Sequence, residues 1–159
     1  MDATESDTIP NPVTDLAPGR PTGDCLSWRL AHRPQEAGTA RRAVQAVMDT
    51  WQLAEDVAQS VLVVVSELIA NAVEHALPPV ALHLHRDGLP VDTPSVWVVV
   101  TDGGPTPGRD SGHAALPRDE HGRGLQVVEA LSSTHGLQVH ATGTISWARL
   151  TAVRAPSSP

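Results

Sequence analysis

Two stretches of the chain repeat their apolar residues at the spacing of an α-helix. In residues 40–53 the apolar positions with this spacing are Ala40, Val44, Val47, Met48 and Trp51. Residues 55–76 form a longer and more apolar helical stretch, which ends before Pro78 and Pro79. The pattern therefore predicts two consecutive helices in the first half of the chain.

In the segments that we predict as strands, apolar residues either recur at every second position or form a continuous run. In residues 80–86 leucines alternate with His83 and His85, which predicts a strand with one covered face and a solvent-facing histidine pair. Such a pair is also half of a metal site, but no matching acidic or cysteine ligands accompany it. Residues 95–101 are almost all β-branched and predict a central strand buried on both sides. Shorter strands are predicted at residues 25–31, 137–141 and 144–153.

A third helix is predicted from Gly122 to residue 132, after a loop of about 20 residues that begins at Asp102. Helices collected on one side of mostly antiparallel strands are typical of an α+β fold. We therefore predict a two-layer α/β sandwich with a mixed, mostly antiparallel sheet and three helices on one face. The four tryptophans are interpreted as core or sheet residues: Trp28, Trp51, Trp97 and Trp147.

The composition is that of one folded domain with short tails. The 159 residues fit a single domain, since domains run to roughly 100–200 residues. The polar, proline-containing residues 1–23 and 156–159 predict disordered tails around a domain of residues 24–155. All 11 basic residues are arginine, which excludes chemistry that needs a lysine amine, such as a Walker-type phosphate loop. Cys25 is the single cysteine, so an internal disulfide and a multi-cysteine zinc site are excluded.

The charge of the chain and the lengths of its apolar runs limit the partners and the cellular compartment that we expect. A net charge of −7 disfavours nucleic acid, because binding its phosphates needs a basic surface. The first residues include Asp2, Glu5 and Asp7 and no apolar run, so no signal peptide is expected. Uninterrupted apolar runs reach only about five residues, against about 20 for a membrane span. We therefore expect a cytoplasmic protein without nucleic-acid or membrane partners.

The second predicted helix carries an unusual polar stripe. Asn71 lies among Ala, Val and Ile, although asparagine is a poor residue for a helix interior. Glu67, Asn71 and His75 are spaced i, i+4 and i+8, so they line one side of the helix. A carboxylate, an amide and an imidazole partly enclosed by valines are costly unless a ligand or metal engages them. A surface stripe with a chance asparagine is the alternative interpretation.

Glycine-rich segments lie at both ends of the long loop. Asp102 ends the buried strand and precedes two glycines, which places an acceptor where a ligand can approach the backbone; a plain Asp–Gly turn is the alternative. Gly122 and Gly124 are predicted to lie at the mouth of the third helix, where free N–H groups form an anion site. Three arginines add forked phosphate donors: Arg109, Arg118 and Arg123.

The order of these motifs resembles that of the GHKL (HATPase) ATPase superfamily, which includes gyrase, histidine kinases and the MutL group and has the Bergerat nucleotide pocket. More narrowly, the sequence looks like the anti-sigma serine kinases of the RsbW/SpoIIAB type and their actinobacterial relatives. SELIANAVEHA matches the helix motif of that group, TDGGP its adenine motif and HGRGLQVVEAL its phosphate-lid motif. GTISWARL resembles its closing strand, so the resemblance covers roughly residues 25–153, nearly the whole predicted domain.

The resemblance implies a role for each residue of the motifs in binding ATP and Mg²⁺. Asn71 would bind Mg²⁺ through its amide oxygen, and Glu67 would act as the general base. Asp102 would accept the adenine amino group, with Gly104 leaving room for the base and Thr144 lying near it through a water. The other ATP-binding residues implied are His75, Arg118, Gly122, Arg123, Gly124 and Leu125.

The resemblance does not assign a single role to two positions, Ile145 and His75. Relatives often carry a second threonine or a similar polar residue where this chain has Ile145, which leaves the water network beside the adenine undetermined. His75 is common in the group, and plain helix packing is its alternative role.

By resemblance, the leading hypothesis is an Mg-ATP-dependent protein serine/threonine kinase that holds a sigma factor inactive. It would phosphorylate a STAS-domain antagonist, and it could form a homodimer as its relatives commonly do. The alternative is an ATP-binding regulatory or scaffold module that controls a partner without phosphoryl transfer. The catalytic part of a sensor histidine kinase is a third hypothesis, but we find no dimerisation helix pair or phospho-accepting histidine helix ahead of the predicted domain.

Overall fold

The computed structural model of the chain describes residues 25–87, 95–106 and 118–151, without the side chains of residues 87 and 118–123. The strands are β1 (Cys25–Leu30), β2 (Val80–Asp87), β3 (Ser95–Asp102), β4 (Thr134–His140) and β5 (Gly143–Thr151). The helices are α1 (Glu36–Trp51), α2 (Glu55–His75) and α3 (Arg118–Leu131). The predicted tails, residues 1–23 and 156–159, lie outside the described residues, so the domain limits stay a prediction.

The five strands form one sheet in the order β1-β2-β3-β5-β4. All four strand pairs are antiparallel, so the α+β prediction is confirmed while the expected parallel component is not found among the described strands. β3 lies at the centre, and all its side chains from Ser95 to Val100 are buried. A nearly continuous β-branched run therefore forms the strand that is covered on both sides, as expected from its composition.

The helices cover one face of the sheet, as predicted, and α2 is the central one. The apolar side of α2 includes Val61, Val64, Val65, Leu68 and Ile69, which are at most 4% exposed. Together with side chains from α1 and from the covered face of the sheet they form the main hydrophobic cluster. Because this side of α2 is anchored in the core, the polar stripe on its flank is held in one position.

By length and composition alone, α2 could also cross a membrane. Its most apolar 18-residue window has a mean hydropathy of 1.5, a property that counting uninterrupted apolar runs did not reveal. In the fold, half of that window is buried, and the helix packs against the sheet and against the other two helices. The apolar character of α2 thus matches its position as the core helix of the domain.

Two helices begin earlier than predicted. α1 begins at Glu36 instead of Ala40, because its first turn contains Ala37, which packs against the core, and an acidic residue that favours a helix N-terminus. α3 begins at Arg118 instead of Gly122. In the sequence, Pro117 precedes this helix and two acidic residues follow in its first turn, which are signals for a helix N-terminus. The interpretation of Gly122 and Gly124 as the mouth of the helix was therefore wrong, since both lie inside it.

The second face of the sheet also differs from expectation. His85, predicted to face solvent with His83, is 0% exposed, and its strand neighbour Trp97 is 7% exposed. The ring centroids of Trp97 and Trp147 lie 5.6 Å apart on this face, and the Trp147 ring also packs over Gly136 of β4. The alternation in β2 indicated correctly which residues share a face, but both faces of the strand are covered.

Candidate functional site

Two residues of the polar stripe of α2, Glu67 and Asn71, face α3. Glu67, Asn71 and His75 are all half-buried on the flank of α2. A Cβ atom built on Gly124 of α3 would lie 2.7 Å from Glu67 Oε2 and 3.9 Å from Asn71 Nδ2. The carboxylate and the amide therefore converge on one point of α3, where the absence of a side chain leaves room for them.

The C-terminal end of α2 is joined to the exit of β3 by a short set of backbone hydrogen bonds. Gly103 N–H donates to Leu77 O at 2.7 Å, and Leu77 N–H donates to Gly104 O at 2.8 Å. The backbone N–H and the hydroxyl of Thr106 both donate to His75 O at 3.1 Å. These bonds hold the segment after Asp102 against the end of the helix that carries the polar stripe.

The two glycines after Asp102 are required by the fold itself. Gly104 has φ +97°, a left-handed conformation that residues with a side chain rarely adopt. A Cβ atom on Gly103 would collide with Pro78 O and would lie 2.9 Å from Leu77 O. The glycine pair was predicted to let a ligand approach the backbone, and close packing of the protein's own backbone is a second reason for it.

Asp102 is held as a hydrogen-bond acceptor at the end of β3. Gly104 N–H donates to Asp102 Oδ1 at 2.8 Å, and Thr144 donates from both its backbone and its hydroxyl. Burial raises the pKa of Asp102 above its ordinary value of 3.8, although these hydrogen bonds and the nearby His32 act in the opposite direction. The carboxyl group is therefore partly desolvated and oriented, which suits recognition of a ligand N–H group.

Thr144 and Ile145 lie on opposite faces of the sheet. Thr144 is directly opposite Asp102 in the β3–β5 ladder, so the two side chains share the face covered by the helices. Ile145 is 7% exposed and packs with Val99 and Trp147 on the second face. The position where relatives often carry a polar residue therefore points away from Asp102, and Thr144 is the β5 side chain that meets it.

His32 is a residue of this region that the sequence analysis missed. It lies in the connection between β1 and α1, and its Nε2 atom is 2.7 Å from Ala76 O. Its charge also acts on Asp102. Because 44 residues separate His32 from Ala76, no local spacing could have indicated this contact.

The structure describes the remaining predicted site residues to different extents. The His75 side chain is 16% exposed, and its Nε2 atom lies 3.7 Å from Glu74 Oε2. Leu125, next to Gly124, is 48% exposed. The side chains of Arg118 and Arg123 lie outside the description, as does Arg109, while Gly122 is placed only as part of the α3 backbone. Two groups are thus assembled: Glu67 and Asn71 against α3, and Asp102 with Gly104 and Thr144.

Comparisons with known proteins place the chain in context. The model of the histidine kinase-like ATPase domain family (HATPase_c_2) matches residues 30–151. No curated protein sequence matches this chain. One solved structure that matches is the histidine kinase domain of the blue-light activated histidine kinase from Erythrobacter litoralis EL346, which is 16% identical with a TM-score of 0.41. The match covers 88% of this chain and 68% of that one.

Proposed function

The chain belongs to the histidine kinase-like ATPase domain family, and we propose that it transfers phosphate from Mg-ATP to a serine or threonine of a partner protein. The proposed acceptor is a STAS-type antagonist, and the proposed target of control is a sigma factor, in keeping with the motifs described above. As a member of this family, the chain is an ATP-binding, kinase-like domain of the GHKL type.

The observation that carries the proposal is the convergence of Glu67 and Asn71 on Gly124. Phosphoryl transfer needs a group that accepts the proton of the attacking hydroxyl and groups that position and neutralise the triphosphate. A carboxylate and an amide one helical turn apart, facing a glycine of the neighbouring helix, meet both needs in a small volume. Glu67 is the proposed general base.

Asp102 is the proposed receptor for the adenine base. Its Oδ1 atom is already engaged by Gly104 N–H, and Thr144 donates to the same carboxyl group. The carboxylate has further acceptor capacity, because an ionised carboxyl offers about four lone-pair sites. An exocyclic amino group of adenine is a suitable donor to it, and Thr144 keeps the carboxylate in place.

The residues present also fit a magnesium ion. Among the described residues, no group of three or more His, Cys, Asp or Glu could hold a metal. A cation here would therefore take most of its ligands from phosphate and water, which is how Mg²⁺ is commonly bound with ATP. The Asn71 amide oxygen is the proposed protein ligand. When bound, the ion would neutralise charge on the triphosphate.

The transfer itself uses few protein groups. As the acceptor oxygen forms its bond to the γ-phosphorus, Glu67 takes the hydroxyl proton, and the bond from the γ-phosphorus to the bridging oxygen breaks to release ADP. Asn71 and Asp102 hold the two ends of the nucleotide. Because catalysis of this kind depends on positioning, the rigid attachment of α2 to the core and to residues 103–106 supports the proposal.

The test is phosphate transfer from radiolabelled ATP to purified STAS-domain proteins, with calorimetry of ATP binding in parallel. We expect Glu67→Gln to bind ATP with nearly unchanged affinity and to lose transfer at least about 100-fold. We expect Asn71→Ala to lose both Mg-dependent binding and transfer. Glu55→Gln, the same exchange in the exposed first turn of α2, serves as the matched control and leaves both unchanged.

Each contrary result has a definite meaning. If Glu67→Gln transfers phosphate as well as the unmodified chain does, Glu67 is not the base and the proposed mechanism is wrong. If no STAS protein is phosphorylated, yet partner control survives Glu67→Gln and is lost in Asn71→Ala, the protein is an ATP-binding regulator without phosphoryl transfer. If ATP does not bind at all, the site itself is wrongly assigned.

A further inference from the structure

The segment that follows α2 is hydrogen-bonded on two sides. Ala76 has an extended backbone, with φ −124° and ψ 167°, and forms an isolated antiparallel bridge with Pro105. The carbonyl oxygens of His75 and Leu77 accept hydrogen bonds from residues 103–106, whereas the Ala76 oxygen between them lies 2.7 Å from His32 Nε2. Because bonded and outward-pointing residues alternate in an antiparallel pair, His32 bonds the side of this segment that is turned away from residues 103–106.

His32 supplies the donor that the Ala76 carbonyl needs. Ala76 is only 7% exposed, and a buried carbonyl without a donor costs free energy of folding. A carbonyl oxygen only accepts, so His32 donates from an Nε2–H group, which the ring carries when it is protonated and in one of its two neutral tautomers. His32 thus ties the connection between β1 and α1 to the end of α2.

The segment that His32 holds also positions Asp102. Leu77 exchanges hydrogen bonds with the two glycines that follow Asp102: its carbonyl accepts from Gly103 N–H, and its N–H donates to Gly104 O. Burial raises the pKa of Asp102, and the charge of His32 is one of the effects that oppose this rise, so the ring lies close to the carboxyl group. His32 therefore acts on Asp102 through the backbone and through space.

We propose that His32 is a positioning residue for base recognition: by holding Ala76, it keeps the Asp102 carboxylate where it selects adenine over hypoxanthine. This inference rests on the proposed function only in taking Asp102 as the adenine receptor. The amino group at position 6 of adenine donates to a carboxylate, whereas the carbonyl at that position in hypoxanthine repels it. The neighbouring N1–H of hypoxanthine can still donate to a displaced carboxylate, so the selectivity depends on where Asp102 is held.

Calorimetric titration of the full chain with ATP and with inosine triphosphate (ITP), each with Mg²⁺, tests the proposal. We expect the unmodified chain to bind ATP at least about tenfold more tightly than ITP, since the selective hydrogen bond is made to a charged group. His32→Ala should lower this ATP:ITP ratio at least about fivefold, mainly by weakening ATP. His32→Gln keeps a donor for Ala76 O and should stay within about twofold of the unmodified ratio.

A variant destabilised outside the site is the matched control. In Gly136→Ala the new Cβ atom would lie 2.7 Å from Cζ2 of Trp147, on the face of the sheet opposite the helices. This variant should lose stability and keep the ATP:ITP ratio of the unmodified chain. It therefore separates a loss of base selectivity from the general effect of a less stable fold.

The possible results separate this inference from the proposed function. If His32→Ala keeps the unmodified ratio, if Gly136→Ala lowers it equally, or if His32→Gln loses it as well, His32 is only a structural contact and the inference is wrong, while Asp102 remains the adenine receptor. If the unmodified chain does not prefer ATP to ITP, both the inference and the assignment of Asp102 fail. If the expected ratios are found but no phosphate is transferred, the inference is supported and the proposed kinase activity is refuted.

Discussion

A single methyl group added at Gly124 tests the geometry of the proposed site. In Gly124→Ala the new Cβ atom would lie 2.7 Å from Glu67 Oε2, whereas ordinary contact begins at 3.4 Å. The carboxylate must therefore retreat by about 0.7 Å, the difference between these distances. It is the far end of a flexible side chain, so it can move while both helices keep their positions.

Stability and activity are expected to change in opposite directions. Replacing a glycine inside a helix by alanine favours the helix by up to about 1 kcal/mol, so the free energy of unfolding should be unchanged or higher. A displaced general base is poorly placed for proton transfer, and a misplacement of about 1 Å can reduce rates about 100-fold. We expect the rate of phosphate transfer to fall about 10- to 100-fold.

Gly38→Ala in α1 is the matched control, because the nearest atom to its new Cβ is Arg42 Nη1 at 3.9 Å. Urea unfolding and single-turnover phosphate transfer are measured on both variants. Both should be at least as stable as the unmodified chain, and only Gly124→Ala should lose activity. Equal activity in the two variants would refute the proposed role of Glu67. A loss of more than about 2 kcal/mol in Gly124→Ala would instead refute the inference that the carboxylate can give way.

Substitutions at three further positions test separate parts of the structure. Gly136→Ala should lower the unfolding free energy by about 1–3 kcal/mol, since its Cβ would lie 2.7 Å from Cζ2 of the rigid Trp147 ring. Asp102→Asn should be at least as stable as the unmodified chain at pH 7 but bind ATP more weakly. Because burial raises the pKa of Asp102, its ionisation costs stability as pH rises through that pKa, so the advantage of the variant should vanish below about pH 4. His32→Ala should lose about 1 kcal/mol of stability, and His32→Gln less, since glutamine keeps a donor for Ala76 O.

These three outcomes are read from urea unfolding, at several pH values for Asp102→Asn, and from calorimetry of ATP binding. An unchanged midpoint in Gly136→Ala would mean that the Trp147 ring can move aside. An Asp102→Asn variant that is less stable at pH 7 would mean that its hydrogen bonds outweigh the cost of burying the charge. Equal stability of the two His32 variants would show that the contact with Ala76 contributes nothing.

The elements and the polar stripe could be predicted from the sequence because both depend on local spacing. The period of two in β2 and the β-branched run of β3 indicated strands at nearly their observed positions. The i, i+4 spacing of Glu67 and Asn71 put them on one flank of α2, since a helix returns to the same side after about 3.6 residues. Such patterns involve neighbours along the chain and need no knowledge of the rest of the fold.

The ends of the helices and the burial of individual side chains were harder to predict from the sequence, because they depend on competing local signals or on distant contacts. The helix signals around Arg118 outweighed the two glycines that were placed at the mouth of α3. The alternation in β2 separates two faces, yet it does not reveal that the face with His85 is also covered. The glycine at 136 has no local signal either, since the Trp147 ring that fills its space comes from another strand.

The sequence by itself determined the order and approximate positions of the helices and strands, which side of α2 is polar and that Asp102 ends a buried strand. Only the tertiary structure decided that Glu67 and Asn71 meet Gly124, that Thr144 meets Asp102 and that His32 reaches Ala76. The physical reason is that periodicity arises from the geometry of a single element. Contacts between elements depend instead on how the sheet is ordered and how the helices pack on it.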